Sequence, residues 1–236
     1  MKSPKILIIL ISVVSAVAFL AWLFIESSKP LPGEKIDANC DNFTDFSKIE
    51  NINKSDKCRA HIPDNTIVNY STNPPTLGPH SASWITKGFY EEPRHDGNLV
   101  HSMEHGYVIV WYDCTKPVIS FQLPVFKTVY AHEEEATGDV QPTNMTAGSE
   151  GLAHIKLSDM PKSFSDGSCD VLKNQIKSYI EKNNHKLIGM PRAGMDSPLI
   201  LTAWGRILKL NSFKEDQIKG FVNTFRDNGP EATVEP

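Results

Sequence analysis

The N-terminal segment contains the feature that most restricts the fold, an uncharged apolar run at residues 6–25. A helix of about 20 such residues is long enough to cross a bilayer. Lys2 and Lys5 precede the run, and basic residues favour the cytoplasmic side of a membrane helix. The pattern therefore predicts a cytoplasmic stub at 1–5, a transmembrane helix at 6–25 that binds the lipid bilayer, and an extracytoplasmic remainder.

A cleaved signal peptide is the alternative interpretation of this segment. Signal peptides usually have an apolar core of about 7–15 residues and a small-residue cleavage site. This run is longer, and AWLFIESSKP contains no clean Ala-x-Ala site. The sequence therefore favours an uncleaved, single-pass anchor in the cell membrane with a cytoplasmic N-terminus.

The rest of the chain is predicted to form a linker and one domain. Residues 26–38, which include SSKPLPGEK, are typical of an extended linker, and 39–236 are long enough for one sizeable core. The formal net charge is −4, and the 24 Lys and Arg residues form no basic block. Nucleic-acid binding is therefore not expected, because it requires a concentrated positive surface.

The four cysteines predict disulfide bonds, because an even number of cysteines in an exported domain is typical of oxidised pairs. Their order in the sequence favours Cys40–Cys58 and Cys114–Cys169, although four cysteines allow three pairings. Export also disfavours catalysis by a free thiol.

The apolar and periodic segments of the exported part predict an α+β domain. Residues 106–113, GYVIVWYD, are almost wholly apolar and indicate a buried central strand. HKLIGM indicates another strand, and SPLILTAWGRILKL indicates two short strands that turn at Gly205. Amphipathic helices are predicted from Cys169 and from Ser212. We expect a single mixed or antiparallel sheet with two amphipathic helices, preceded by the transmembrane helix.

Three blocks of the sequence resemble a known family: YSTNPPTLGPHSASW, LVHSMEHGYVIVWYD, and SPLILTAWGRILKLNSF with the terminal RDNGPE. They are similar to signature blocks of domain-of-unknown-function family 3105, and they cover residues 60–112 and 190–231. The sequence departs from the family pattern at Leu77, where serine is usual, and residues 115–168 resemble an insertion that is atypical of the family. The resemblance implies a membrane-anchored exported protein and supplies candidate positions, but it implies no particular reaction.

The segment HSMEH contains two histidines at the spacing i, i+4. On one helical turn ended by Gly106, His101 and His105 would share a face and could chelate one metal ion. His80, on the proline-rich loop PPTLGPH, is a third candidate ligand, and His61 is a fourth. Three or four imidazoles suit Zn²⁺ or Cu²⁺.

Two neighbours of these histidines have candidate supporting roles. Glu104 could orient a ligand imidazole through a hydrogen bond, and the thioether of Met103 would favour copper(I). The sequence therefore favours a membrane-anchored protein that binds copper or zinc and acts with an unidentified protein partner.

Two other interpretations stay open. The histidines could brace the loop by hydrogen bonds in a non-catalytic recognition or structural module that binds no metal. HSMEH also has the spacing of the inverted zinc-protease motif, which indicates a metal-dependent hydrolase. That motif needs a long helix, whereas Gly106 and the strand after it leave room for a single turn. We therefore expect a binding protein rather than an enzyme.

Overall fold

The structure, a computed structural model, describes residues 4–28, 30–37, 40, 57–64, 66, 68–118 and 156–233. The chain divides into two compact units, Met1–Pro32 and Gly33–Pro236. The insertion predicted at 115–168 lies mostly outside the described residues.

The first unit contains helix α1, Pro4–Ser27. Large apolar side chains such as Leu20, Trp22 and Phe24 are exposed on it. Among the helices of the described residues, however, none is both long and apolar enough to cross a membrane. A helix over residues 6–25 is therefore confirmed, whereas its assignment as a transmembrane helix is not supported.

The second unit is built on a mixed sheet. The strands described are β1 (Glu34–Lys35), β2 (His61–Ile62), β3 (His80–Ser81), β4 (Gly88–Phe89), β5 (Val108–Tyr112), β6 (Leu187–Pro191), β7 (Leu199–Ala203) and β8 (Arg206–Leu210). Six of them form one sheet in the order β1-β8-β7-β5-β6-β4, and β2 and β3 pair separately. Strand β6 is parallel to β4 and β5, whereas β7 is antiparallel to β5 and β8.

Strand β5 lies inside the sheet, and all of its residues are buried. Val108, Val110 and Tyr112 pack into one apolar core, whereas Ile109 and Trp111 pack into a second. Burial of one such aliphatic side chain contributes about 1.5–3 kcal/mol. The nearly continuous apolar sequence of β5 follows from this burial on both faces.

The α-helices described in the second unit are α2 (Asp96–Glu104), α3 (Asp170–Lys182) and α4 (Glu215–Phe225). Side chains of α3 and α4 enter the first core, and side chains of α2 enter the second. The α+β class and the two amphipathic helices are therefore confirmed. Helix α4 begins after Lys214, later than the predicted start at Ser212.

The turn predicted at Gly205 joins β7 to β8. Gly205 has a φ of +64°, a left-handed conformation that favours glycine. Its N–H donates to Thr76 O at 3.0 Å, and its carbonyl accepts from Ile36 N–H at 2.9 Å. The bond to Thr76 connects the proline-rich loop to the sheet, and the bond from Ile36 holds the residue that follows β1.

The structure contains the two disulfides favoured by sequence order, Cys40–Cys58 and Cys114–Cys169. Cys169 directly precedes α3, and Cys114 follows β5. The second disulfide therefore links the central strand to the start of α3.

Candidate metal centre

Helix α2 places His101 and His105 next to each other at its C-terminal end. His95 caps the start of the helix, where its side chain accepts a hydrogen bond from Gly97 N–H. At the other end, His105 N–H donates to His101 O at 3.1 Å, and Gly106 follows with a φ of +83°. Because positions i and i+4 share a helix face, His101 and His105 project together, as the sequence predicts.

Strands β2 and β3 bring a second pair of histidines together. Their parallel register pairs His61 with His80, and the two ring centroids lie 5.0 Å apart. The side chain of His80 is fully buried, whereas that of His61 is 48% exposed. The Cys40–Cys58 disulfide lies immediately before this pair in the chain and links the segment that leads into β2.

The ring of His101 is held by its Nδ1 atom. Nδ1 donates to Ser81 O at 2.7 Å, because a carbonyl oxygen can only accept. Burial lowers the pKa of His101 to about 4; the bond to Ser81 opposes this shift, and the neighbouring His80 and His105 add to it. At neutral pH the ring is therefore uncharged, and its Nε2 atom carries a lone pair that lies 2.9 Å from His105 Nε2.

His80 is held in the same way. Its Nδ1 donates to Gly78 O at 2.7 Å, and its Nε2 lies 2.9 Å from Glu104 Oε2. Backbone carbonyls thus orient the rings of both His80 and His101. Histidines that bind metals usually donate their second nitrogen to a carbonyl or a carboxylate, which fixes the tautomer and the direction of the coordinating nitrogen.

Glu104 supplies a buried negative charge beside these rings. Its Oε1 accepts from Arg59 Nε at 2.6 Å, and its Oε2 lies 3.7 Å from His61 Nε2. Burial raises the pKa of Glu104, but hydrogen bonds from His80 and Arg59 outweigh it and lower the pKa to about 2. The sequence predicts that Glu104 orients a ligand imidazole through a hydrogen bond. In the structure Glu104 bonds to His80, at Nε2, the atom that would coordinate an ion.

The C-terminal segment, residues 227–231, packs on the end of α2. Asp227 N–H donates to Gly106 O at 2.9 Å, and Glu231 N–H donates to Glu104 O at 3.1 Å. A Cβ atom on Gly229 would overlap the carbonyl oxygen of Glu104 and the amide nitrogen of Gly106. The segment can approach α2 this closely only with glycine at this position.

This packing brings a second carboxylate to the histidines. Glu231 Oε2 lies 3.8 Å from His105 Nε2, and the Glu231 side chain is 43% exposed. Lys186 strengthens the arrangement, since its Nζ donates to His105 O and to Thr233 O, both at 2.8 Å. The sequence prediction missed Glu231, although Glu231 ends the RDNGPE block, because 125 residues separate it from His105 and no local pattern links the two.

The described residues form two sets of potential ligands, and within each set the ligand atoms all lie within 4.8 Å of one another. The first set is His61, His80 and His101, and the second is His101, His105 and Glu231. The sequence predicted one shared set of His80, His101 and His105, with His61 added. In the structure His80 and His105 belong to different sets, and His101 belongs to both.

Aromatic side chains border the cluster. Trp84 is 44% exposed and packs on His105 and His101, with ring centroids 4.9 Å and 5.6 Å away. Trp204 contacts His80 edge-on at 5.9 Å. Met103, whose thioether the sequence places near the ligands in a supporting role, is fully buried in the apolar core of α2 and β5, because positions two apart on a helix point in different directions.

A buried arginine holds the elements that carry these histidines. The side chain of Arg192 is 4% exposed, and its guanidinium donates to both carboxylate oxygens of Asp96, at 2.7 Å and 3.1 Å. It also donates to Asn73 Oδ1 and lies over the ring of Trp111. Arg192 therefore connects the proline-rich loop, the start of α2 and strand β5.

The donor set fits a transition-metal ion. Two nitrogens bound to one tetrahedral Zn²⁺ at about 2.05 Å lie about 3.3 Å apart, so the 2.9 Å between His101 and His105 needs only a small opening. Three imidazoles, or two imidazoles and a carboxylate, are ligand sets that occur in zinc sites. All four cysteines are in disulfides, which leaves nitrogen and oxygen donors for the metal.

The fold and the cluster define an α+β protein with a histidine-rich candidate metal centre. The chain belongs to the family described as "Protein of unknown function (DUF3105)", which matches residues 61–137 and 164–236. Both ligand sets lie within the matched residues. No curated protein and no solved structure matches the chain.

Proposed function

We propose that this protein binds one transition-metal ion, Zn²⁺ or Cu²⁺, through its histidine cluster. The observation that carries the proposal is the fixed direction of His80 and His101. Each ring gives its Nδ1 proton to a backbone carbonyl at 2.7 Å, which leaves Nε2 as its coordinating atom. Nε2 of His101 lies 2.9 Å from His105 Nε2, whereas Nε2 of His80 lies 2.9 Å from Glu104 Oε2 and must exchange that bond for the ion. Hydrogen bonds of this kind prepare an imidazole for coordination before the ion arrives.

The surroundings favour Zn²⁺ or Cu²⁺ over copper(I). Copper(I) prefers thiolate and thioether ligands, whereas imidazole and carboxylate suit the two divalent ions. The cysteines are oxidised to disulfides, and Met103 packs in the core. Glu104 and Glu231 would balance the charge of a divalent cation.

The geometry favours holding a metal over hydrolysis. In a zinc protease the glutamate of the motif must be free to activate a water molecule. Here Glu104 is 1% exposed and already bonded to Arg59 and His80. Helix α2 also ends at Glu104, before the second histidine of the motif. We therefore propose a binding or accessory protein that acts with a protein partner.

A structural cluster without metal is the second candidate, because the bonds from Arg59 and His80 satisfy Glu104 by themselves. A measurement of metal binding by the chain distinguishes a metal-binding protein from a metal-free structural module. After treatment with a chelator, the parent is titrated with Zn²⁺ or Cu²⁺ at neutral pH by calorimetry. We expect stoichiometric binding that His101→Ala abolishes and His185→Ala leaves unchanged, since His185 is exposed and bonded to Asp227. A parent that binds neither ion would establish the metal-free module.

We also propose that α1 anchors this protein in the cell membrane, with the second unit extracytoplasmic. The proposal rests on the sequence, since none of the described helices meets the requirement for crossing a membrane. Residues 6–25 carry no charged side chain, and Lys2 and Lys5 precede them. The two disulfides agree with an oxidising compartment.

A fusion of alkaline phosphatase to the C-terminus tests this location, because that enzyme is active only outside the cytoplasm. In a bacterial host we expect an active fusion that stays in the membrane fraction after alkaline carbonate extraction. Deletion of residues 2–25 should make the fusion inactive. Release of the parent fusion by carbonate would contradict anchoring.

A further inference from the structure

The two ligand sets share one side chain. His61, His80 and His101 form one set, and His101, His105 and Glu231 form the other. His101 has a single coordinating nitrogen to offer, because its Nδ1 atom donates to Ser81 O at 2.7 Å. One lone pair binds one ion, so an ion in either set takes His101 away from the other.

The ligand atoms of the two sets are also too far apart to bind one ion together. Two ligands of one ion at about 2.05 Å lie at most about 4.1 Å apart. His101 belongs to both sets. Among the described residues, no set whose ligand atoms all lie within 4.8 Å of one another contains both His80 and His105. An ion therefore cannot be bound by all of these side chains at once in the arrangement that the structure has.

Each set contains two buried ligands and one ligand that is partly exposed to solvent. The first contains the buried rings of His80 and His101 together with His61, which is 48% exposed. The second contains the buried rings of His101 and His105 together with Glu231, which is 43% exposed. Each position thus combines two buried rings with one ligand at the surface. In the first position His80 Nε2 must exchange its bond to Glu104 Oε2 for the ion.

We propose that the cluster holds one ion in two alternative positions that share His101 Nε2, and that the C-terminal segment supplies the ligand of the second position through Glu231. This inference rests on the proposed metal-binding function. An ion that stays on His101 while it exchanges the other two ligands passes between the positions without release. The protein then has separate surface ligands for loading and for delivery, as a carrier of metal ions needs.

The second position depends on the packing of the C-terminal segment. Gly229 lies against the end of α2, and Glu231 N–H donates to Glu104 O at 3.1 Å. The Glu231 carboxylate takes no part in that backbone bond, so Glu231→Gln removes an anionic ligand without removing the bond that holds the segment.

Paramagnetic resonance of Cu²⁺ on the full-length chain tests the proposal, since the spectrum separates three-nitrogen from mixed nitrogen and oxygen coordination. The protein is loaded with less than one equivalent of Cu²⁺. We expect two spectral components in the parent. His61→Ala should leave the mixed component, and Glu231→Gln should leave the nitrogen component. Glu181→Gln, at an exposed position of α3, should keep both components.

The stoichiometry gives a second measurement. Calorimetry with Cu²⁺ should show one equivalent for the parent and for each single variant, and no binding for His101→Ala. A single spectral component in the parent, or a second equivalent bound at the cluster, overturns the two-position proposal and leaves the metal-binding function standing. A parent that binds no Cu²⁺ or Zn²⁺ overturns both.

Discussion

Replacing Glu104 by glutamine should destabilise the metal-free protein by about 3 kcal/mol. The pKa of Glu104 falls from its ordinary value of 4.5 to about 2 in the folded protein. Since one pKa unit corresponds to about 1.4 kcal/mol, the folded state gains about 3 kcal/mol from the ionised form. Glutamine keeps the shape of the side chain but removes the charge that Arg59 and His80 face.

The effect should depend on pH in one direction. A carboxyl group whose pKa is lowered by folding stabilises the protein above its unfolded pKa, and this contribution disappears as the pH falls through the folded pKa. The gap in stability between the parent and Glu104→Gln should therefore be complete at neutral pH and should close between pH 4.5 and pH 2.

Thermal unfolding followed by circular dichroism, in the presence of a chelator, measures this gap. For a domain of this size, about 3 kcal/mol corresponds to a decrease in Tm of roughly 6–12 °C. Glu181→Gln is the matched control, because Glu181 is exposed on α3 and should change Tm little. An unchanged Tm for Glu104→Gln, or a gap of the same size at the acid end, would refute the assignment of the buried charge pair.

Three further predictions concern stability. Gly229→Ala should lower Tm by several degrees, because its Cβ would overlap the end of α2. Gly220→Ala is the control: its Cβ in α4 meets nothing within 4 Å, so the variant should raise the free energy of unfolding by up to about 1 kcal/mol. Arg192→Met should lower the free energy of unfolding in denaturant titrations by about 3 kcal/mol or more, since it leaves the largely buried carboxylate of Asp96 unpaired. Lys209→Met removes an exposed ion pair and should change this free energy by no more than about 0.5 kcal/mol. The metal-free parent should lose up to about 3 kcal/mol as the pH falls from 6.5 to about 4, because folding lowers the pKa of His101 and the unfolded chain binds the proton first.

Each of these has a contradicting outcome. Equal Tm values for the two alanine variants would show that the C-terminal segment does not depend on its close contact. Equal costs for the two methionine variants would remove the structural role of Arg192. A flat stability profile between pH 7 and pH 4 would contradict the buried, neutral state of His101.

Local patterns in the sequence were sufficient to predict much of the fold. The strand β5, the turn between β7 and β8 and the helix after Cys169 are each marked by a local pattern of residues: an apolar run, a glycine and a helical period. Local patterns fix the ends of the helices less closely: Ser212 and Glu215 have the spacing of a capping box, yet α4 begins after Lys214. The apolar spacing of this segment also predicts that Val171 lies on the buried stripe of α3, but Val171 is 75% exposed, because the helix turns this position away from the sheet.

The candidate site was predictable only where one helix turn or one rigid loop decides the geometry. The i, i+4 spacing predicts that His101 and His105 share a face, and the structure confirms it. The division into two sets depends on the register between β2 and β3, and on the return of the C-terminal segment to α2. Arg59 and Glu231 reach the cluster only through these long-range contacts, so no spacing in the sequence points to them.

The Cys40–Cys58 disulfide restrains only one of the two ligand sets. Arg59 and His61 follow Cys58 directly, and they carry the counter-charge of Glu104 and the exposed ligand of the first set. In a chain whose cysteines are still reduced, the covalent bond that restrains this segment is missing, while α2 and the C-terminal segment keep their own contacts. Reduction of this disulfide should therefore loosen the first ligand set more than the second, because Glu231 is held by the packing of the C-terminal segment instead.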